Sequence, residues 1–327
     1  MMRPAVMKNA AMVVLGLAVG AAFLWLALRK VDLAELRATA ATLNPIGLLS
    51  ATLIYWMALG LRVLRWQLLL RELGPAPLPA VAETLIVGYA VNNVLPARLG
   101  EVARAAYAKR RLGIGRARVF GSIVIERVLD LCAILTCLGG GLLVLHYDEH
   151  AARQPGFELV ALNAGVIIGV ALLIIAALRS GNLGRLPMPP QVLALCHDFC
   201  AGIASLNRRS AVLTVLLSAA IWMFEVAALT QVFAAFAINL EPGQSMLVMG
   251  IASLSTLVPT APGYLGTYQL VFAIAMRAFG LPESVGIVAA GAVQACLFGS
   301  VTVAGAMILA LRSVRRALGF NRVAKMA

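Results

Sequence analysis

Six apolar stretches constrain this chain more than any other feature. They run over Ala10–Leu28, Ile46–Leu70, Val119–Leu145, Glu158–Leu178, Ala211–Ala237 and Ser284–Leu311. Each is at least as long as the roughly 17 residues that a helix needs to cross the hydrocarbon of a bilayer. With 61% hydrophobic and only 13% charged residues, the polar gaps between them are too short for a soluble catalytic domain. The expected fold is all-α: a polytopic membrane protein forming a single integral membrane domain over residues 1–327.

The formal charge of +13 does not point to nucleic acid, because the basic residues sit in short segments between apolar runs, where they set orientation. Cys132, Cys137, Cys196, Cys200 and Cys296 form no disulfide framework. Cys196 and Cys200 with His197 between them faintly resemble a metal site, but the other histidines, His146 and His150, fall on the opposite side, and the two thiols read as one face of an amphipathic helix. No metal and no cofactor is expected. At the N-terminus, Arg3 and Lys8 precede an apolar stretch closed by Arg29 and Lys30. Its full spanning length reads as a retained helix rather than a cleaved signal.

Charge then assigns sides. Arg98, Arg104, Lys109, Arg110, Arg111, Arg116 and Arg118 face only Glu101 and mark the cytoplasm. The segment with Asp148, Glu149, Arg153 and Glu158 is acidic and lies outside; Arg179, Arg185, Arg208 and Arg209 lie inside. "INLEPGQS" is outside, and the tail with Arg312, Arg315, Arg316, Arg322 and Lys325 is inside, as is the N-terminus. The second span ends inside at Arg65 and Arg71, so Ala80 to Lys109 must enter the membrane and return to the same side. Ser245 to Phe279 must do the same from the outside. The reading is about six full transmembrane helices plus two opposed re-entrant hairpins. Arg29 and Lys30 run against it, being placed outside.

"PARLG" at Pro96–Gly100 matches "PGYLG" at Pro262–Gly266, each followed at similar distance by a glycine, Gly113 and Gly280. The flanking spans keep the same order, and each half has an amphipathic lead-in, Val31–Leu43 and Val192–Leu206. The halves, roughly 10–145 and 158–311, are expected to form an inverted repeat, the architecture of many secondary transporters.

The hairpin tips carry the residues with chemistry. Pro96, Gly100, Pro259, Pro262, Gly263 and Gly266 suit backbone that leaves a helix. Asn92 and Asn93 can bond that backbone or a ligand, and Arg98 and Arg104 match phosphate oxygens. A half-helix beginning near Gly100 points its N-terminal dipole at an anion. In "VIERVLDL", Glu126 and Asp130 share a helical face beside Arg127, near mid-membrane. Such charges cost at least about 2.5 kcal/mol each to insert, so they pair or face a cavity. Glu225 stands in mid-span with no neighbouring base in the sequence, and reads either as a protonated acid bonded to a backbone carbonyl or as a proton- or headgroup-coupled site. Arg62 and Arg65 read as snorkelling at the inner interface beside Trp66, with binding of an inner-leaflet lipid phosphate as the rival role.

"LRVLRW", "NNVLPARLGEVAR", "GSIVIERVLDL" and "LVPTAPGYLGTYQ" together resemble the lysylphosphatidylglycerol synthase transmembrane-region family of flippase-like membrane proteins. The resemblance runs from about Arg29 to Leu311 and implies a lipid-translocating fold with opposed hairpins. It does not imply synthase activity, which in two-domain relatives belongs to a soluble aminoacyl-transferase domain. Two positions depart from the family pattern. Gln269 stands where many relatives carry glutamate, and Tyr264 where a glycine is common.

The function expected is a lipid flippase or translocase of the inner membrane, not an enzyme. It would move an anionic or phosphate-bearing lipid, a phospholipid or a polyprenyl-phosphate derivative. Arg98, Arg104 and Arg127 would engage phosphate, with Glu101, Glu126 and Asp130 orienting them or binding a cationic headgroup. A non-transporting accessory protein, holding lipid for a glycolipid or hopanoid enzyme, is the alternative. A membrane-embedded transferase using Glu126 and Asp130 is the third reading. A homo-oligomer is left open.

Overall fold

The computed structural model describes residues 21–29, 33–95, 99–147, 198–201, 208–256 and 261–317. Most of the first predicted span, all of Glu158–Leu178, most of Val192–Leu206 and the residues Pro96, Arg98, Cys196, His197, His150 and Pro259 lie outside them. His146 lies in a described helix, but its side chain is outside the description. The described residues are helical without strands. The helices are α1 (Leu33–Ala41), α2 (Pro45–Arg71), α3 (Leu78–Val94), α4 (Leu99–Leu112), α5 (Arg116–Tyr147) and α6 (Arg208–Ala234). They continue as α7 (Pro242–Ser255), a 3₁₀ turn at Pro262–Tyr264, α8 (Thr267–Ala278), α9 (Glu283–Ala292), a π-helical turn at Val293–Phe298 and α10 (Gly299–Ala317).

Four helices are long and apolar enough to cross a membrane: Pro45–Arg71, Arg116–Leu145, Ser210–Ala234 and the continuous Glu283–Arg315. Each coincides with a predicted span. The helix expected to reach Ala237 stops at Ala234, because the chain turns there and Ala237 adopts φ 59°. α2 begins where its sequence says it should. Asn44 accepts from the Ile46 and Gly47 amides, and Pro45 occupies the first turn, where its missing N–H costs nothing. The Asn44 amide in turn donates to the Ala235 carbonyl at 2.7 Å, joining the start of α2 to the end of α6. These two helices pack against each other along their length.

α3 and α4 form one helical hairpin, α7 and α8 another. α3 lies against α10, and α7 against α5; α4 packs on α5, and α8 on α9. Small residues set these approaches, as in helix packing where lipid offers no hydrophobic drive. A Cβ on Gly305 of α10 would meet the Ala90 Cβ of α3 at 2.3 Å, and one on Gly141 of α5 would meet the Gly243 carbonyl of α7 at 2.7 Å. At Gly100 the requirement is absolute: an added Cβ would fall 2.2 Å from the Gly88 carbonyl oxygen and 2.3 Å from Asn92 Oδ1.

The first hairpin starts and finishes at one end of the bundle. Glu83, in the second turn of α3, pairs with Arg111 in the last turn of α4 at 3.1 Å, and with Arg312 near the end of α10. The tips of the two hairpins meet. A Cβ on Gly263 would stand 3.5 Å from the Asn93 carbonyl oxygen, and the 3₁₀ turn packs on α3.

Candidate functional site

Three helix faces turn charge inward at one level. Arg62 and Arg65 are three residues apart on α2; Glu126 and Asp130 are four apart on α5; Ser218, Trp222 and Glu225 follow at helical spacing on α6. α4 adds Glu101 and Arg104 from the first hairpin. Glu126, fully buried, lies 2.7 Å from Arg104 and 3.7 Å from Arg65. Asp130 accepts from Arg65 Nη1 at 2.9 Å and from Arg62 Nη1 at 3.5 Å, and lies 3.4 Å from Arg127. Glu225 accepts from Arg62 Nη2 at 2.9 Å and Nε at 3.2 Å. Glu101 lies 3.6 Å from Arg127. The network holds four arginines and four carboxylates and is electrically neutral.

Aromatic and hydroxyl groups complete it. The Arg104 guanidinium lies 3.6 Å from the centroid of Trp66, a cation–π contact strengthened by exclusion of water. Trp66 Nε1 donates to Ser122 at 3.2 Å, Arg65 Nη1 to Ser218 at 2.9 Å, and Trp222 Nε1 to Asp130 at 3.4 Å. Several polar atoms have ion-pair distances without hydrogen-bond geometry, among them both oxygens of Glu126 and Arg104 Nη2.

Two expectations change here. Glu225 has a base, Arg62, contributed by α2 and so invisible from α6 alone. Arg62 and Arg65 do not snorkel. Their side chains are 11% and 0% exposed, and Trp66 is wholly buried rather than interfacial, because carboxylates on neighbouring helices pull the arginines inward. Arg104 is likewise only 4% exposed and already paired. The cation that keeps an open side is Arg127, at 34%, next to Glu101 at 24%.

The tips are closed by amides. The Gly100 N–H donates to Asn92 Oδ1 at 2.6 Å, so the first-turn donor expected to face an anion is taken internally. Asn93 donates to the Phe298 carbonyl and to Thr302, both at 3.0 Å, tying the first tip to α10. At the second tip, Gly266 (φ 83°) donates to Gln269 Oε1 at 2.8 Å, Gln269 donates to Gln294 Oε1 at 2.6 Å, and Gln294 donates to the Gly263 carbonyl at 2.9 Å. Tyr264 has φ 59°, a left-handed conformation that favours glycine. Its ring stacks on Tyr268 at 5.8 Å and meets Phe298 edge-on at 6.2 Å.

The sequence reading omitted Ser218, Trp222 and Gln294. Ser218 and Trp222 share a helix face with Glu225, so the spacing was available. Gln294 is a strongly polar side chain inside the apolar run "AAGAVQACLF".

A profile of the lysylphosphatidylglycerol synthase TM region matches residues 13–305. The chain belongs to this family. The glycosyltransferase AglD of Haloferax volcanii is 24% identical to this chain over 314 residues, covering 84% of it. The chain spans 50% of that relative's length. A UPF0104 membrane protein of Methanothermobacter thermautotrophicus is 24% identical over 319 residues, covering 85% of this chain and 88% of its own. A UPF0104 membrane protein of Methanocaldococcus jannaschii is 25% identical over 190 residues, covering 57% of this chain and 80% of its own.

Neutralising Glu126 should be severe, since it leaves Arg65 and Arg104 buried without their shared partner. Glu126→Gln is expected to cost about 3–5 kcal/mol and to lower the melting temperature in detergent sharply. Adding Arg104→Met should recover part of the loss. Equal stability of wild type and Glu126→Gln would contradict the pairing.

Proposed function

We propose that this chain is a lipid translocase, with two re-entrant hairpins that enter from opposite faces of the membrane. The observation that carries the reading is the meeting of the hairpin tips beside a buried, balanced charge network whose open member is Arg127. Pairing order supports an inverted repeat: α3 on α10 has its counterpart in α7 on α5, and each hairpin tip has a glycine amide capped by a side-chain amide. Broken helices meeting around a polar site are how secondary transporters handle a headgroup while the surrounding backbone stays satisfied. Val94, Leu95, Leu99, Val102 and Leu265 are exposed around the tips, a surface suited to acyl chains.

The cargo in this reading is an anionic or phosphate-bearing lipid, either a phospholipid or a polyprenyl-phosphate derivative. Arg127 and Arg98 receive the phosphate, and Glu101 holds Arg127 in place. Arg104 is assigned to structure rather than to cargo, because Glu126 and Trp66 already occupy it. The protein does no covalent chemistry in this account. It sits in the inner membrane with both termini cytoplasmic, as the basic ends of α4 and α10 favour.

The name of the AglD relative favours a second reading. In it, the membrane region holds a lipid for a glycosyltransferase or another lipid-biosynthetic enzyme without moving it.

In reconstituted liposomes, the wild type should redistribute a labelled acidic phospholipid faster than empty vesicles. Arg127→Ala should slow this by about tenfold or more, the loss of one charge-assisted hydrogen bond. Lipid that binds the protein but redistributes no faster than in empty vesicles would favour the accessory reading and end the transport one. Topology is tested separately, in a cysteine-free background, at the exposed positions Lys109 and Ala278. Cysteines there should label from opposite sides of the membrane; labelling of both from one side would break the inverted arrangement.

A further inference from the structure

A groove lies away from the charge network, where α3 and α10 run antiparallel on the outer surface of the bundle. Between them is a cavity of about 310 Å³. On α3 it is lined by Pro79, Ala82, Glu83 and Ile86, and on α10 by Ile308, Leu311, Arg312 and Arg315. Both sets follow the i, i+3, i+4, i+7 spacing that puts residues on one helix face. The groove is therefore built by two facing stripes, and the stripes are graded. Ile86 and Ile308 line the deep end. Arg312 and Arg315 lie at the helix termini, in the same region as Arg111 at the end of α4.

The cations there exceed what the protein itself uses. Glu83 is the carboxylate among them, and both its oxygens are engaged. Oε1 accepts from Tyr107 and from Arg312 Nε at 2.9 Å, and Oε2 accepts from Arg111 at 3.1 Å and from Arg312 Nη2. Arg315 is exposed and makes no ion pair among the described residues. One carboxylate against three guanidinium groups leaves a local excess of positive charge beside a half-exposed apolar trough, with Leu311 58% exposed. Arginine forks accept phosphate oxygens in paired hydrogen bonds, and basic residues at the membrane surface attract acidic lipid.

We propose that this groove binds one acidic, phosphate-bearing lipid of the surrounding leaflet, its headgroup on Arg315 and the outward side of Arg312, its first acyl segment along Ile86, Ile308 and Leu311. From Pro79 to Ile86 the groove runs about 10 Å along the helix axis, enough for the glycerol and upper chain but not for passage across the membrane. The bound lipid bridges α3 and α10 at the Glu83 tie and so braces the first hairpin. This site does not rest on the translocation reading, and none of its residues belongs to the charge network.

Thermal melts of the purified protein in a nonionic detergent test it, with phosphatidylglycerol, phosphatidylcholine or inorganic phosphate added at equal concentration. Phosphatidylglycerol should raise the melting temperature in a saturable way, with native mass spectrometry retaining one lipid; the other two additions should not. Arg315→Gln touches neither Glu83 nor the core, so it should melt like the wild type without lipid, while its apparent affinity falls about fivefold. Ile308→Trp, which fills the trough, should abolish the lipid-dependent shift. Equal stabilisation by phosphatidylcholine, full stabilisation by inorganic phosphate, or an undiminished affinity in Arg315→Gln would each overturn the proposal.

Discussion

Glu126 lies fully buried between Arg65 and Arg104, and that one carboxylate ties three helices together. A charge removed from water demands a partner, and an unpaired remainder costs several kcal/mol. Arg65 belongs to α2 and Arg104 to α4, so pairing them with one residue of α5 fixes the first hairpin against two spans at once. Asp130 extends the constraint through Arg62 to Glu225 on α6. α4 carries Arg104, Lys109, Arg110 and Arg111 in fourteen residues, and the face it buries is made of small residues around one charge: Gly100, Arg104, Ala105 and Ala108, with Leu112 at its end. Its place in the bundle depends on this pairing and on the stacking of Arg104 over Trp66.

The two tips solve a different problem, that of backbone groups freed where helices break. Each solution uses a neutral amide, but from opposite directions. Asn92 reaches from the helix before the break, whereas Gln269 reaches back from the first turn of the helix after it. The second tip then needs Gln294, which sits in a π-helical turn of the last span. Such turns are local insertions that recur at functional sites. The Gln269 amide both accepts from Gly266 and donates to Gln294. A neutral side chain closes this tip without a titrating group.

Much of this was legible along the chain. Apolar length located four described spans, because membrane helices satisfy their backbone internally and their limits follow composition. The match of "PARLG" to "PGYLG" located both breaks. Partners were harder to read. Glu225 looked isolated because its base lies 163 residues away on α2, and Arg62 and Arg65 looked interfacial because their acids sit on α5 and α6. Periodicity reports which face a residue shares within one helix, not which helix that face meets. The strain at Tyr264 was foreshadowed only by the expectation of glycine there, since a positive φ leaves no mark in hydropathy.

In the proposed translocation the balanced network stays in place, with Arg127 as its open member, and lipid passes at the tips. If lipid passes between the tips, tying them together must stop it. Val94 and Leu265 are 55% and 51% exposed beside the junction, so cysteines there can be bridged by a short reducible bis-thiosulfonate linker. In liposomes, the account predicts that bridging halts lipid redistribution and that reduction restores it. Redistribution at the unbridged rate in fully bridged protein would contradict passage between the two hairpins.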